Sequence, residues 1–332
     1  MSRARTVGLV LGAALDAVLA DPARGHPVAG FGRIAAGLER AVHRDSRLVG
    51  AAYATVLVAG TGAAAAGAER ALAGRRPGRR AALARAGLTA ATTWTVLGGT
   101  SLRRQGRALG GELERRDLRA ARTRLPSLCG RDLSALDAGG LARAGVESVA
   151  ENTSDAVVAP LLWGAVAGLP GLVAYRAANT LDAMVGYRDA RHGRFGWAAA
   201  RTDDAANLLP ARMCALLTCA CAPVVGGSPA EAFRVMRRDG RSHPSPNAGV
   251  VEAAFAGALG LRLGGELRYP HGVEHRPELG SGRPAEAGDL AAAARLSGAV
   301  SAASVVVCAG AVAALDTLRT RRAGSRGPGE GG

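Results

Sequence analysis

Asp155-Ala-Val-Val-Ala-Pro160-Leu-Leu-Trp-Gly-Ala-Val-Ala-Gly-Leu-Pro170-Gly-Leu-Val-Ala-Tyr175-Arg176 places 20 uncharged residues between a carboxylate and a guanidinium. A helix needs roughly 20 mostly apolar residues to cross the hydrocarbon of a bilayer. Four other runs repeat the pattern: Leu48–Ala68 with 21 uncharged residues, Ala86–Leu102 with 17, Met213–Ala230 with 18 and Leu296–Leu315 with 20. Thr6–Ala20 is a sixth candidate, interrupted by Asp16. Small-residue strings such as Gly60-Thr61-Gly62-Ala63-Ala64 suit helices whose backbones approach closely in lipid. These runs predict an all-α, polytopic helical membrane protein with about five to six spanning or re-entrant helices and polar loops. A large soluble protein with Ala-rich core helices is the competing reading. The start of the chain also resembles a secretory signal, with Arg3 and Arg5 before the apolar run, but Asp16 inside that run argues against cleavage.

Composition narrows the chemistry. The chain has 332 residues with 42 basic and 27 acidic side chains, a formal charge of +15, and every basic residue is Arg. Without Lys there is no Schiff-base lysine and no P-loop of the Walker type. Residues 1–150 hold 23 Arg against 11 acids, and 151–332 hold 19 against 16. With only 3% aromatic residues, the Arg clusters between apolar runs read as loops at a membrane surface rather than as a nucleic-acid interface. Strict alternation through six spans separates the Arg24–Arg47 and Arg70–Arg85 loops. A re-entrant or interfacial Thr6–Ala20 puts both on one side. The five cysteines (Cys129, Cys214, Cys219, Cys221 and Cys308) fall mostly in apolar stretches and read as buried helix residues.

The polar segments carry the candidate chemistry. Ser101–Ala150, with Leu102, Leu109, Leu113 and Leu125 among many Arg and Glu, suggests an amphipathic helix on protein or bilayer. Glu147, Glu151 and Asp155 stand at i, i+4 and i+8, which stacks three carboxylates on one helical face beside Asn152. Arg176, Asn179 and Asp182 follow a span directly. Arg201-Thr-Asp203-Asp204-Ala-Ala-Asn207-Leu-Leu-Pro210-Ala-Arg212 gathers oxygen ligands of the kind Mg²⁺ favours between two guanidiniums able to hold phosphate. Asp21-Pro, His26-Pro and Gly30-Phe-Gly32-Arg33 form a tight turn. Ser242-His243-Pro-Ser245-Pro-Asn247 precedes a helix over Asn247–Gly260, capped by Asn247, whose N-terminus is a ready anion site. Gly264–Gly282 reads as a loop with room for a short hairpin. Ordinary capping and solvated polar faces are the bland alternative for each motif.

In order and wording these motifs together resemble the CobD/CbiB family of integral membrane adenosylcobinamide-phosphate synthases, over roughly residues 6–318. AmpE-like membrane signalling or sensor proteins share the general architecture and are the alternative. The resemblance implies one membrane domain over 1–318 and a disordered basic, Gly-rich tail over 319–332. It implies ATP-dependent amide ligation of adenosylcobyric acid with (R)-1-aminopropan-2-ol O-phosphate, giving adenosylcobinamide phosphate. ATP and Mg²⁺ are the expected cofactors. The corrinoid, the amino-alcohol phosphate, the lipid bilayer and other cobalamin-pathway membrane enzymes are the expected partners, without nucleic acid. The site is expected on the cytoplasmic side of the cell membrane. In that reading Glu151, Asp155, Asp204 and His243 are catalytic, with His243 or His26 as base. Asp203, Asp204 and Glu151 hold metal. Arg33, Asn179, Asp182, Arg201, Asn207, Arg212 and Asn247 bind substrate and nucleotide.

Overall fold

The computed structural model describes residues 2–22, 25–73, 78–127, 136–187, 189–269 and 272–324, so Arg24, Cys129, Arg188 and 325–332 lie outside the described residues. It is nearly all helical. Among the described residues four segments are long and apolar enough to cross a membrane: Arg47–Leu72, Ala138–Val185, Trp197–Val225 and Asp289–Ala314. They correspond to α3 (Arg47–Ala73), α7 with α8 (Ala138–Thr153, Ala159–Val185), α9 (Trp197–Cys221) with a 3₁₀ turn to Val225, and α12 (Asp289–Gly324). The last helix thus runs past residue 319, into the stretch expected to be a tail. A shorter apolar helix, α11 (Ala248–Leu259), is almost entirely buried. The polytopic helical architecture read from the uncharged runs is present.

Two of those runs fold differently from a simple span. Ala86–Leu102 is divided between α4 (Arg79–Val96) and α5 (Gly99–Glu114), because Leu97 turns extended and Gly98 caps the second helix. The break is held by polar groups. Asp16 of α1 (Ser2–Leu19) accepts hydrogen bonds from the Thr100 amide (3.2 Å) and hydroxyl (3.3 Å), and the Gly98 amide donates to the Ala156 carbonyl (3.2 Å). A carboxylate at a helix N-terminus satisfies orphan amides and meets the favourable end of the dipole.

The second departure is larger. Tyr175 Oη lies 3.1 Å from the Asp155 carbonyl oxygen. In a straight helix, residues 20 apart are about 30 Å distant. The chain therefore doubles back within α8, at Gly168 (φ 70°, ψ −154°), followed by Pro170 at the start of the returning limb. That backbone conformation is essentially open only to glycine. Ala138–Val185 is a helical hairpin, with one limb to 167 and the other from 169 to 185. A π-helical turn over Ser154–Val158 lies within its first limb. Such a turn inserts an extra residue and breaks the i, i+4 register at Asp155.

The amphipathic segment lies on protein. Leu102, Leu109, Leu113 and Leu125 are buried in the largest core cluster, contributed by α5, α7, α9, α11, α12 and the sheet. Gly264–Gly282 does form a hairpin, of β1 (Leu261–Tyr269) and β2 (Gly272–Leu279), with β3 (Arg283–Pro284) parallel to β1 on its other side. Its bulge at Gly264 (φ 79°) offers an amide that donates to buried Glu147 at 2.8 Å. Cys214, Cys219 and Cys308 are buried and Cys221 is partly buried, all as free thiols.

Candidate active site

The returning limb of α8 packs antiparallel to α9: Tyr175 bonds Asn207, and Asn179, four residues on, bonds Asp203, four residues back. Tyr175 Oη stands 2.9 Å from Asn207 Oδ1, whose Nδ2 donates to Asp203 Oδ2 at 3.0 Å. Asn179 Nδ2 donates to Asp203 Oδ1 at 3.2 Å, and Arg176 Nη1 donates to Asn179 Oδ1 at 3.3 Å. Both Asp203 oxygens are thus held by amides. Trp163 joins the other limb to α9 by donating to the Ala206 carbonyl at 3.0 Å.

Around this network Glu151, Asp155, Asp182, Asp203 and Asp204 lie within electrostatic reach of one another. The side chains of Asp155 and Asp182 accept no hydrogen bond among the described residues. Asp204 is paired with Arg201 at 3.2 Å on the exposed rim. The carboxylates of α8 and α9 stand within two turns of the Gly186–Gly196 connection, so the cluster sits about 10 Å inside one end of the bundle. No group of three His, Cys, Asp or Glu gathers at metal-ligand spacing among the described residues. Mg²⁺, however, usually takes one or two carboxylates and completes its shell with water and substrate phosphate. An oxygen-rich cluster with excess negative charge fits that use and does not fit a closed protein cage.

The structure separates some residues that the motifs grouped. Glu147 does not join the stack, since its carboxylate is committed to the β1 bulge, and Asp155 itself lies in the π turn rather than on the regular face of α7. Asn247 is the N-cap residue of α11, yet its side chain makes no cap hydrogen bond. It staples α11 to α9, donating to the Asp204 carbonyl (2.7 Å) and accepting from Arg212 Nη1 (2.7 Å). The expected anion site there is filled by Ser245 Oγ, which accepts from the amides of Asn247 and Ala248. His243 does not suit the role of base. It is buried beneath the hairpin, with Nε2 3.0 Å from Arg276 Nη1 and 3.9 Å from Glu252, and Nδ1 against the Ser245 backbone. His26 caps α2 (Pro27–Val42) by accepting from Val28 N, and Arg33 is exposed on that helix. Asp21, in the turn after α1, reaches the surroundings of Arg176. Arg176, grouped with Asn179 and Asp182 in the sequence, does join them, and Tyr175, at the edge of the quoted apolar run, is a further site residue that its polar motifs do not single out.

The α8–α9 connection is clamped to α2. His192 faces Asp189 at 3.0 Å and Glu39 at 3.2 Å, and Arg191 also donates to Glu39 at 2.9 Å. Burial works to raise the Glu39 pKa, but the hydrogen bonds from Arg191 and His192 outweigh it and hold the group below its ordinary value. Asp189 is lowered by His192. Two surface hollows of about 570 and 490 Å³ lie away from the cluster, one between α5 and α6 (Leu118–Arg124), the other between the start of α7 and the hairpin. Neither is lined by any of the five carboxylates.

Apolar helices that carry a carboxylate cluster near one end define a polytopic membrane protein with a polar site built into its spans. The chain belongs to the CobD/CbiB family: residues 9–297 match the family described as CobD/Cbib protein. It is 55% identical over 303 residues to a protein of Mycobacterium tuberculosis named Cobalamin biosynthesis protein CobD, covering 91% of this chain and 94% of that one. Proteins of the same name from Geobacter metallireducens (43% identity, 80% and 83% coverage) and Chromobacterium violaceum (42%, 85% and 88%) are similar as well. No solved structure matches the chain.

Proposed function

We propose that the protein is a cobalamin-biosynthetic ligase of the cell membrane. It joins a side-chain carboxylate of adenosylcobyric acid to the amine of (R)-1-aminopropan-2-ol O-phosphate at the expense of ATP, with the cleft open to the cytoplasm. Family membership supports the pathway. The observation that carries the chemistry is the convergence of Glu151, Asp155, Asp182, Asp203 and Asp204 beside Arg176.

A carboxylate is a poor acyl donor because its leaving group would be an oxide. Phosphoryl transfer from ATP makes an acyl phosphate and ADP. Attack by the amine then forms the amide and releases phosphate and a proton. Asp204 and Glu151 would hold Mg²⁺, which supplies charge neutralisation at the transferring phosphoryl group. Asp203, fixed on both oxygens by Asn179 and Asn207, keeps the two site helices in register and orients the neighbouring Asp204. The attacking amine must lose a proton, and Asp155 and Asp182, with carboxylates free of internal donors, are placed to take it. They replace His243 in that role.

The test is product formation by the detergent-purified protein from adenosylcobyric acid, the amino-alcohol phosphate, ATP and Mg²⁺. Asp204→Asn is expected to lower the rate by at least about tenfold and to raise the Mg²⁺ needed for half-maximal rate, in line with loss of one charge-assisted ligand. Unchanged Mg²⁺ dependence would sink the metal assignment.

A further inference from the structure

Every arginine that the motifs offered for phosphate is otherwise occupied or exposed. Arg201 pairs with Asp204 on the rim. Arg212 is fixed by the Leu208 carbonyl (3.0 Å) and Asn247 (2.7 Å). Arg33 is exposed on α2, outside the network of α8 and α9. Arg176 differs from all three. It lies beside the carboxylate cluster, its Nε is shielded from solvent and has no partner, and among the described residues its side chain makes one hydrogen bond, the long contact with Asn179.

The surrounding charges make this conspicuous. Asp21, Asp155 and Asp203 are within electrostatic reach of the Arg176 guanidinium, yet among the described residues none forms an ion pair with it inside 4 Å. A guanidinium has five N–H donors in a rigid fork, and a shielded Nε–H left unused is costly. The fork matches the oxygens of a phosphate bidentately. The nearby carboxylates would repel a bare anion, but a phosphate already bridged to a divalent cation meets both signs of charge at once.

We infer that Arg176 is the phosphate-binding residue of the site, taking a phosphate oxyanion beside the carboxylates that would hold a divalent cation. The inference rests on the ligase reading for the identity of its ligands, since both ATP and the amino-alcohol phosphate carry that group.

The test uses the full chain in detergent. The Arg176→Lys variant retains the charge and removes the fork. Binding of Mg·ATP is read at equilibrium, without turnover, and KM is read for the amino-alcohol phosphate and for adenosylcobyric acid. The expected result is an increase of about tenfold or more for one or both phosphate ligands, the loss of a charge-assisted pair, with KM for the corrinoid unchanged. A rise for Mg·ATP alone assigns the nucleotide phosphate, and a rise for the amino-alcohol phosphate alone assigns the nucleophile. Values within twofold for both, or equal rises for all three substrates, overturn the inference. If the variant does not fold, phenylglyoxal modification of the wild type replaces it. Protection of Arg176 by either phosphate ligand, read by peptide mass spectrometry, supports the assignment, and equal reactivity with and without both overturns it. A wild type that binds Mg·ATP but forms no product would sink the ligase reading alone.

Discussion

Tyr175 shows how one side chain ties the site together. Its hydroxyl reaches the Asp155 carbonyl on one limb of the helical hairpin and Asn207 on α9, and Asn207 in turn holds Asp203. Because Asn207 Oδ1 faces this donor, its amide group is directed at the carboxylate. Replacing Tyr175 with Phe removes the donor and keeps the ring. Buried acceptors left unpaired cost about 1–3 kcal/mol, so the variant is expected to lose that much stability in a denaturation series in detergent. Its rate of product formation should fall further than the loss of folded protein explains, since Asp203 is no longer oriented. A variant as stable and as active as wild type would remove Tyr175 from the network. The acidic and amide residues of this site were visible in the sequence as short polar motifs at the edges of uncharged runs. Tyr175 was harder to see, because its partners sit 20 and 32 positions away and the nearer one depends on the chain reversing.

At the scale of elements, hydropathy located the long apolar helices and turn residues located the hairpin. The reversal at Gly168 was not legible. Gly and Pro are tolerated inside membrane helices, so Gly168-Leu-Pro170 within an apolar run does not announce whether the chain kinks or returns. The break between α4 and α5 was hidden for a different reason: it depends on Asp16, some 84 residues earlier, accepting from Thr100. The π turn at Ser154–Val158 likewise defeats a regular i, i+4 count. The clamp between α2 and the α8–α9 connection yields a pH prediction. Glu39 and Asp189 are both held below their ordinary values in the fold. Depressed carboxylates contribute stability above their unfolded pKa of about 4, and that contribution is lost as pH falls through the folded value. Thermal unfolding of the wild type should therefore show a component that weakens below about pH 4. Glu39→Gln should lower stability near neutrality and flatten that acid dependence. An acid limb unchanged by the substitution would show that the clamp does not contribute to it.

The whole molecule presents large apolar side chains outward, among them Val18, Ile34, Leu48, Val56, Leu209 and Val306. A bilayer accounts for that exposure, and the charged residues gather at both ends of the bundle. One end holds Arg47, which lies over the Trp197 ring at 6.0 Å, together with Arg191 and Arg194 of the α8–α9 connection. There a side chain at Gly50 would collide with the Phe195 carbonyl, so α3 and the connection meet closely. The other end of α3 carries Arg70, and α4 starts with Arg79 and Arg80. With arginine at both ends, the positive-inside rule does not choose between them. The ligase reading proposed above does choose, because the carboxylates lie next to the Gly186–Gly196 connection and a site that used ATP would have to face the cytoplasm. With all five cysteines replaced, Ala190→Cys should react with a membrane-impermeant maleimide in inverted vesicles and not in intact spheroplasts. Gly78→Cys, beyond the far end of α3, should show the opposite pattern. Labelling of Ala190→Cys from outside intact cells would place the carboxylates away from the nucleotide pool and would remove the ligase reading, whatever the family resemblance.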